Sequence, residues 1–545
     1  MNKTDSKNAI KKSIVLSGLV STGGLFISKL IGLFYTIPFS YLLASDAWTS
    51  IYGYAYQIYS YILNIFTAGF PFAISTLVAQ YSAKNDAKTI LKIKRIALRF
   101  LALLGIAGMI LMMLLAFLIS PVMMPEQPGV MRNALLLLSL ALALVPLLSG
   151  YRGVIQGRRE MTEYAFSQTY EQLFRVGFLL TAACLVVYVF HMDRVWALYC
   201  AVLSTAIAAG AGLWQIIRFY RHNCRDIEYQ ARRQRGAGHP EKALLREFFS
   251  LAIPYLVVAV FGYSDSLFNS FLLPIGLNMS GLSEAQRNAA AMAMNFTGTK
   301  LTAIPMILAP GFTAALIPHI AAARTENNRR LVRQNVLDCL NIVFFVAIPV
   351  SFCIFLYARP ICNTLFYTED LEMATLVTQW IALEGFFGTV SPLVTNIMMA
   401  LGLRRSALKR LCWSTALKAV LMIPFMMWWG VPGTVISTVI AHLYMTVGNL
   451  AEVARAWKIP WRGTVRRLLL TCGCTLLMWG CAALLNRFGL NGGLPGSTPL
   501  NFLKMAANGV LSLAVFALAA WMLYLPQAVF HIRSLGGLLR RKNHA

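Results

Sequence analysis

Long apolar stretches separated by short polar connections make up almost the whole chain. A helix that crosses a bilayer needs about 20 mainly apolar residues, and fourteen stretches meet that requirement. They are 13–43, 49–80, 93–120, 130–152, 163–190, 195–219, 247–274, 288–320, 335–358, 372–402, 408–428, 431–456, 466–486 and 503–528. The connections leave no room for a soluble domain. The pattern therefore predicts an all-α integral membrane protein with about 14 transmembrane helices.

The lysine and arginine residues alternate between the two ends of successive spans. With the N-terminal tail inside, 38 of the 48 fall in tails and loops on that side, 6 in the opposite connections and 4 within spans. Short cytoplasmic loops hold such an excess, and one missed or invented span would destroy the alternation. The pattern predicts a multi-pass protein with both termini in the cytoplasm.

Composition agrees with this interpretation and removes several function classes. The chain is 58% hydrophobic and only 13% charged, which excludes an ordinary water-soluble enzyme. Its net charge of +27 could indicate nucleic-acid binding, but the basic residues follow the membrane topology instead of one soluble face. We therefore expect anionic membrane lipids as partners and no nucleic acid. Cys472 and Cys474 lack a second ligand pair nearby, so no metal site is predicted.

A weak internal repeat suggests two related halves. The segment 69–79 at the end of span 2 is similar to 311–321 at the end of span 8, and each leads into a polar turn. An even offset of six spans preserves orientation, which predicts two six-helix lobes, spans 1–6 and 7–12, related by a parallel pseudo-two-fold. The alternative is chance similarity between apolar helix ends. The predicted divisions are 1–220 (N-terminal lobe), 221–246 (basic cytoplasmic linker), 247–460 (C-terminal lobe) and 461–545 (helices 13 and 14 with a basic cytoplasmic tail).

Seven ionisable side chains lie well inside predicted spans. Each costs about 2.5–3.5 kcal/mol at the bilayer centre on insertion scales, so such groups normally face a cavity or a partner. The basic ones are Lys29, Arg175, Lys300 and Lys418, and the others are Asp265, Glu384 and His442. They predict a shared polar interior.

Each of these groups also has a purely structural interpretation. Glu171 precedes Arg175 by four residues, the favoured spacing for an ion pair within one helix. The three lysines have no acid three or four residues away on their own helices, but Asp265 or Glu384 could neutralise one of them from another helix. For His442, a hydrogen-bonded interior histidine is favoured over a proton relay. Asp265, Glu384 and His442 are the candidates for ion coupling, with the two acids as the candidates for binding a cation.

Prolines within spans 1, 2, 8, 9 and 11 predict kinks, because each removes a backbone hydrogen bond. Kinks permit gating. Together with two neighbouring positions, the candidates for lining or gating a cavity are Tyr35, Pro38, Gly69, Pro71, Pro305 and Pro318.

Three segments, 28–38, 69–86 and 152–176, carry a family resemblance. They resemble the polysaccharide-export branch of the multidrug/oligosaccharidyl-lipid/polysaccharide flippase superfamily, and within it the group of the stage V sporulation protein B type and the Gram-positive lipid II flippases. The resemblance implies a fourteen-helix fold with two six-helix lobes around a central cavity. It also implies a bacterial plasma membrane and transport of an undecaprenyl-pyrophosphate-linked sugar from the inner to the outer leaflet.

The resemblance also suggests which residues bind the diphosphate. Residues 28–32 match a Ser-Arg-x-x-Gly pattern of more distant lipid II flippases, with Lys29 in place of arginine, and Lys300 precedes Pro305 by the five residues that separate an arginine from a proline there. The chain departs from that pattern at Tyr35 and at Leu63-Asn64, where those proteins have arginines. We expect Lys29, Lys300, Lys418 and Arg175 to attract the diphosphate.

The leading hypothesis is a flippase for a lipid-linked cell-wall or polysaccharide precursor, with lipid II as the first choice of cargo. A cation-coupled multidrug exporter of the same superfamily is the alternative, supported by Asp265 and Glu384 and opposed by the three lysines. A membrane-embedded transferase would need a large outside loop, and the outside connections are short. No phosphate-binding Walker motif is present, so Na⁺, H⁺ or the membrane potential is expected to drive transport without a cofactor. Cell-wall synthesis proteins are candidate partners.

Overall fold

The computed structural model describes residues 31–67, 69–158, 160–234, 239–313, 316–494 and 498–530. Every regular element within these ranges is helical. Helices satisfy their own backbone hydrogen bonds, which is necessary where no water can do so. The chain divides into two compact units, Met1–Pro274 and Ile275–Ala545.

The helices of the N-terminal unit begin in the first predicted span and end in the seventh. They are α1 (Thr36–Leu43), α2 (Asp46–Thr67), α3 (Phe70–Ala83), α4 (Ala87–Met123), α5 (Pro128–Gly157), α6 (Met161–Cys184, continued by a π-helical turn, Leu185–Val189), α7 (Val195–Asn223), α8 (Arg225–Arg233), α9 (Glu241–Gly262) and α10 (Ser264–Met279, which runs into the second unit).

The helices of the C-terminal unit follow. They are α11 (Glu284–Met292, followed by a π-helical turn, Ala293–Gly298), α12 (Thr299–Thr313), α13 (Leu316–Thr325), α14 (Arg329–Leu356), α15 (Ala358–Thr364), α16 (Leu371–Ala400), α17 (Arg404–Trp429), α18 (Pro432–Trp457), α19 (Arg462–Arg487), α20 (Thr498–Met522) and α21 (Leu525–Phe530).

Within the described ranges, eleven helical stretches are long and apolar enough to cross a membrane, and they correspond to predicted spans 2–6 and 9–14. Span 1 is described only from residue 31 onward. Predicted spans 7 and 8 are helical, and each is interrupted within the described residues. Span 7 is divided at Tyr263, whose backbone (φ −102°, ψ 7°) leaves the helical conformation, and span 8 includes a π-helical turn.

Glycines allow the close packing of α3 against α5 in the N-terminal unit. A Cβ atom on Gly153 would lie 2.8 Å from the Pro71 carbonyl oxygen, and one on Gly157 would lie 2.7 Å from that of Ser75. Any larger residue at either position would push the two backbones apart. The apolar core beside this contact includes Phe70 and Ile74, both buried.

The predicted basic linker contains a short helix that packs on the N-terminal unit. Ile227 and Ala231 of α8 are buried in the same core as α4. The backbone N–H of Lys88 donates to Gln234 Oε1 at 2.9 Å, and that of His239 donates to Thr89 Oγ1 at 3.0 Å. The part of the linker that the structure describes is therefore held against the start of α4. The division of the chain into lobes at 220 and 247 stays a prediction.

One buried asparagine joins the last two long helices to the rest of the C-terminal unit. Asn508 of α20 accepts a hydrogen bond from the Tyr357 hydroxyl at 2.8 Å and donates to Asn486 Oδ1 of α19 at 2.8 Å. Polar bonds of this kind replace the hydrophobic effect, which does not drive helices together inside lipid.

Candidate functional site

A row of tyrosines lines one face of α2 in the N-terminal unit. Tyr52, Tyr56 and Tyr59 follow the three- and four-residue spacing that places side chains on one side of a helix. The rings of Tyr52 and Tyr56 stack at 5.3 Å between centroids, and Tyr59 meets Tyr56 edge-on at 5.5 Å. Tyr35 reaches the row from span 1, with its hydroxyl 3.1 Å from that of Tyr52. Tyr35 was predicted from the sequence and the other three were not, although their spacing indicates a shared helix face.

Arg175 of α6 lies against this tyrosine row. Its Nη1 donates to the Tyr56 hydroxyl and its Nη2 donates to Gln172 Oε1 at 2.5 Å, while its Nε is buried and bonds to none of the described residues. The Tyr56 hydroxyl is also 3.4 Å from Thr205 Oγ1 of α7. Arg175 forms no ion pair within the described ranges, and its hydrogen bonds go to neutral oxygen atoms, while the charge of Glu171 acts on it without direct contact.

The predicted ion pair between Glu171 and Arg175 is wrong. Glu171 Oε2 instead lies 2.8 Å from Arg152 Nη2 of α5, and Arg152 also donates through its Nε to Ser167 Oγ at 3.1 Å. Helical spacing favours a pair on one helix, but a second arginine reaches the acid from a neighbouring helix. Arg152 is the last residue of predicted span 4; because α5 continues to Gly157, it is buried within that helix.

A glycine of the resemblance motif lies beside this cluster. A Cβ atom on Gly32 would lie 3.1 Å from Gln172 Nε2, the amide of the side chain that accepts from Arg175. Span 1 therefore approaches α6 closely at this level. Lys29, the predicted diphosphate ligand of span 1, lies outside the described residues.

The C-terminal unit carries a second set of polar groups within its spans. Lys418 of α17 is 1% exposed, an unusual position for a lysine. One turn before it, the Ser414 hydroxyl donates to the Ala441 carbonyl of α18 at 2.8 Å, next to His442. His442 is half-buried. This hydrogen bond joins α17 to α18, the helices that carry Lys418 and His442, close to both residues in sequence.

Lys300 and Glu384 belong to helices that pack closely in the same unit. A Cβ atom on Gly385 would lie 3.4 Å from the Thr302 methyl group and 3.5 Å from Pro305 Cγ. Glu384 is therefore next in sequence to the contact of α16 with α12, and that contact includes Thr302, two residues after Lys300. Both Lys300 and Glu384 are half-buried.

Two buried asparagines of this unit were not predicted. Neither amide atom of Asn295, in the π-helical turn, or of Asn341, in α14, has a hydrogen-bond partner among the described residues. Such groups in an interior normally have a partner, which can be water or a ligand. They were not predicted because they lie in mainly apolar segments and because an amide side chain is not ionisable.

The remaining predicted residues lie near interruptions of helices. Asp265 is half-buried and is the second residue of α10, directly after the division of span 7. Pro38 lies in α1, three residues after a turn at Tyr35 that interrupts the helix. Gly69 and Pro71 lie where α2 gives way to α3. Pro305 is buried within α12, and Pro318 belongs to α13. Their roles in gating stay predictions.

Curated relatives with this sequence pattern are bacterial membrane proteins. The chain is 26% identical over 472 residues to the lipid II flippase MurJ of Bacillus subtilis (strain 168), covering 83% of this chain and 85% of that protein. It is 22% identical over 276 residues to stage V sporulation protein B of the same organism, covering 50% of this chain and 52% of that protein.

Solved structures share the fold at low identity. The inward closed conformation of lipid II flippase MurJ matches with a TM-score of 0.66 and 14% identity, covering 93% of this chain and 99% of that one. An inward-facing multidrug resistance transporter of the MATE family matches with a TM-score of 0.63 and 15% identity, covering 78% of this chain and 95% of that one. These matches confirm the predicted all-α transporter fold class.

The polysaccharide biosynthesis protein family matches residues 14–324, more than half of the chain. Together with the relatives and the shared fold, this match confirms the resemblance stated from the three sequence segments. It also means that the protein is a multi-pass membrane transporter and not an enzyme. The chain belongs to the polysaccharide biosynthesis protein family of the multidrug/oligosaccharidyl-lipid/polysaccharide flippase superfamily.

Proposed function

We propose that this protein moves an undecaprenyl-pyrophosphate-linked cell-wall or polysaccharide precursor from the inner to the outer leaflet by alternating access, with lipid II as the first cargo to test. The observation that carries the proposal is the environment of Arg175. A guanidinium at mid-span whose hydrogen bonds all go to neutral oxygens, with one N–H still without a bond, suits an incoming anion.

The chemistry of a diphosphate fits this environment. A guanidinium can donate two parallel hydrogen bonds to a phosphate group, and charge-assisted bonds of this type are stronger than bonds to a neutral hydroxyl. Phosphate oxygens can therefore replace the Tyr56 hydroxyl and the Gln172 amide oxygen as acceptors. Tyrosine hydroxyls and an amide remain available nearby to bind sugar or phosphate oxygens.

The lysines supply further positive charge. Lys29 precedes Gly32 by three residues, about one helical turn of the predicted span. Lys300 and Lys418 lie within spans of the C-terminal unit. Each acts as a point charge that attracts the diphosphate without fixing its orientation.

The alternative of a cation-coupled multidrug exporter draws support from Asp265 and Glu384 and from the MATE transporter with the same fold. A site for a cationic drug would place acids where this chain has four mid-span cations. Under the flippase proposal, the two acids bind the coupling cation, Na⁺ or H⁺, or respond to the membrane potential. The cargo partner is then a lipid-linked oligosaccharide in a bacterial plasma membrane with both termini cytoplasmic.

The test replaces the lysines matched to the family pattern. We expect Lys29→Ala and Lys300→Ala each to abolish complementation of a flippase-depleted strain at near-normal membrane levels, because the lysines attract cargo and do not stabilise packing. A leaflet-resolved assay of lipid II after depletion measures the activity. Arginine at either position should partly restore it, because the positive charge is kept.

Lys409→Ala is the matched control, because Lys409 is an exposed lysine at the start of α17, outside the proposed interior. It should transport normally. Wild-type flipping by the Lys29→Ala, Lys300→Ala double variant would remove both lysines from the site.

A further inference from the structure

A groove of 780 Å³ opens between α6 and α7, at the end of α7 where basic residues collect. All of its walls come from described residues of the N-terminal unit. Its lining includes aromatic side chains (Phe166, Tyr170, Trp214) and basic ones (Arg218, Arg221, Arg225).

The basic residues and the tryptophan form one stripe. Trp214, Arg218 and Arg221 are separated by four and three residues, which places them on one side of α7, and Arg225 follows at the start of α8. The Arg218 guanidinium lies over the Trp214 ring at 5.4 Å. Arg225 Nε donates to the Arg221 carbonyl at 3.0 Å, so the stripe continues across the junction of α7 and α8.

Little negative charge opposes these arginines. The acid in the groove wall, Glu163, accepts a hydrogen bond from the Gln215 side chain. Asp226, next to Arg225 in sequence, forms an ion pair with Arg158 at 3.0 Å instead. The groove therefore presents a net positive charge at one end.

The two ends of the groove match two depths of a lipid leaflet. At 1.5 Å per residue, Trp214 and Arg221 are about 10 Å apart along the helix axis. Aromatic rings prefer the membrane interface, and arginines extend to the headgroup level. Phe166 is 52% exposed and Trp214 is 58% exposed within the protein, so their apolar surfaces are open to an acyl chain.

We propose that this groove binds one anionic phospholipid, with its phosphodiester on Arg218 and Arg221 and its acyl chains along Trp214 and Phe166. Guanidinium groups match the geometry of phosphate oxygens, and the apolar wall favours a lipid over a free anion. The site is separate from the cargo site proposed above and does not depend on the nature of the cargo.

The experiment measures phosphatidylglycerol binding to the purified full-length protein in a neutral detergent, by native mass spectrometry. We expect Arg218→Gln, Arg221→Gln to weaken this binding about thirtyfold, since each basic side chain at an anionic surface contributes about 1 kcal/mol. Phosphatidylcholine should bind the wild-type protein at least tenfold more weakly than phosphatidylglycerol does. The lysine double variant, Arg218→Lys, Arg221→Lys, should lose less affinity than the glutamine variant, because it keeps the charge.

Matched controls separate this groove from general basic surface. Arg329 and Arg330 are two exposed arginines at the start of α14, and Arg329→Gln, Arg330→Gln should change affinity less than twofold. Trp214→Ala should weaken binding, whereas Trp413→Ala, at a tryptophan that is 64% exposed, should not.

Three results would overturn the proposal. They are unchanged phosphatidylglycerol affinity in a folded glutamine variant, equal wild-type affinity for phosphatidylcholine, and competition by glycerol phosphate at concentrations similar to the lipid. The last result would show a site for free phosphate. If the glutamine variant does not fold, phosphatidylglycerol binding is measured in the lysine variant and in Trp214→Ala instead. Wild-type affinity for this lipid in both variants would contradict the assignment.

Discussion

Individual charged side chains in the spans of this protein are held by partners from other helices. Glu171 pairs with Arg152 of α5, and Arg175 bonds to Tyr56 of α2. A buried donor without a partner costs about 1–3 kcal/mol, so each of these contacts matters for stability as well as for binding. The arrangement leaves Arg175 without a carboxylate in hydrogen-bond contact, which makes its neutral partners the residues to test.

Tyr56→Phe should lower the free energy of unfolding by about 1–3 kcal/mol, because it deprives the Arg175 guanidinium of an acceptor. Thermal unfolding in detergent measures the loss. Tyr54→Phe is the control, since Tyr54 is fully buried on the same helix and is not one of the hydrogen-bond partners of Arg175. The Tyr56→Phe, Arg175→Met double variant should be less destabilised than the sum of its parts. Strict additivity would show that the two side chains act independently.

Asp265→Asn and Glu384→Gln test ion coupling. Moving one charge across the full membrane potential is worth about 2.3 kcal/mol per 100 mV, enough to bias which way a cavity faces. If either acid binds the coupling cation, its neutral variant should respond more weakly to an imposed potential or ion gradient in vesicles, while cargo binding survives. The competing interpretation is that an acid only offsets a lysine. Unchanged gradient dependence in both variants would rule out the coupling role.

At the scale of elements, helix ends and interruptions determine where acidic side chains lie at the start of a helix. Asp86 caps α4: its carboxylate accepts from the Thr89 backbone N–H at 3.0 Å and from Gln234 Nε2 at 2.8 Å. One carboxylate therefore begins a spanning helix and also holds the linker that carries α8. The division of span 7 similarly places Asp265 at a helix start.

Asp86→Ala should destabilise the protein by about 1 kcal/mol at neutral pH through loss of the cap. Burial alone would raise the pKa of Asp86, but hydrogen bonds from Thr89 and Gln234 hold it below its ordinary value. Its charge therefore stabilises the fold above the unfolded pKa, about 3.9, and this contribution is lost as the pH falls through the lower folded value.

Thermal unfolding of the wild type and of Asp86→Ala from pH 7 to pH 3 tests this: the difference should shrink toward the acid end. Asn328→Ala is the matched control, because Asn328 caps α14 with a neutral side chain that accepts from the Leu331 N–H at 3.1 Å. Its cost should not depend on pH. A constant difference for Asp86→Ala would mean that its charge does not contribute.

At the scale of the whole molecule, the distribution of basic residues predicts orientation. The Arg218 to Arg246 loop and both termini are basic and separated by even numbers of spans, so all should face the cytoplasm. The groove proposed for an anionic phospholipid lies at this end of α7.

A cysteine in place of the exposed Arg232 should escape a membrane-impermeant thiol reagent in intact cells and react after permeabilisation. Glu126→Cys, at an exposed position on the opposite side, should react in both cases. The unmodified protein supplies the background from its own cysteines. Efficient labelling of Arg232→Cys in intact cells would contradict the topology.

The sequence by itself determined the membrane class, most of the spans and the family. Hydropathy over 20 residues is a property of a segment and needs no knowledge of its neighbours, and insertion depends on that property. The motif segments 28–38, 69–86 and 152–176 were sufficient for the family, which the match over 14–324 confirms. The sequence also placed Arg175 and Lys418 at mid-span, where the structure has them.

Only the tertiary structure decided which side chains meet and where helices are interrupted. Glu171 pairs with Arg152 of another helix and not with Arg175 of its own helix. Tyr56 bonds to Arg175, which is 119 positions away in the sequence. Helical spacing predicts neighbours along one helix, whereas a partner from another helix depends on rotation, depth and packing that no local pattern contains. The helix is interrupted at Tyr263 and by the π-helical turn at 293–298. Inside a membrane, the backbone groups freed by such an interruption need partners, and neighbouring helices can supply them. A local sequence pattern does not contain that information.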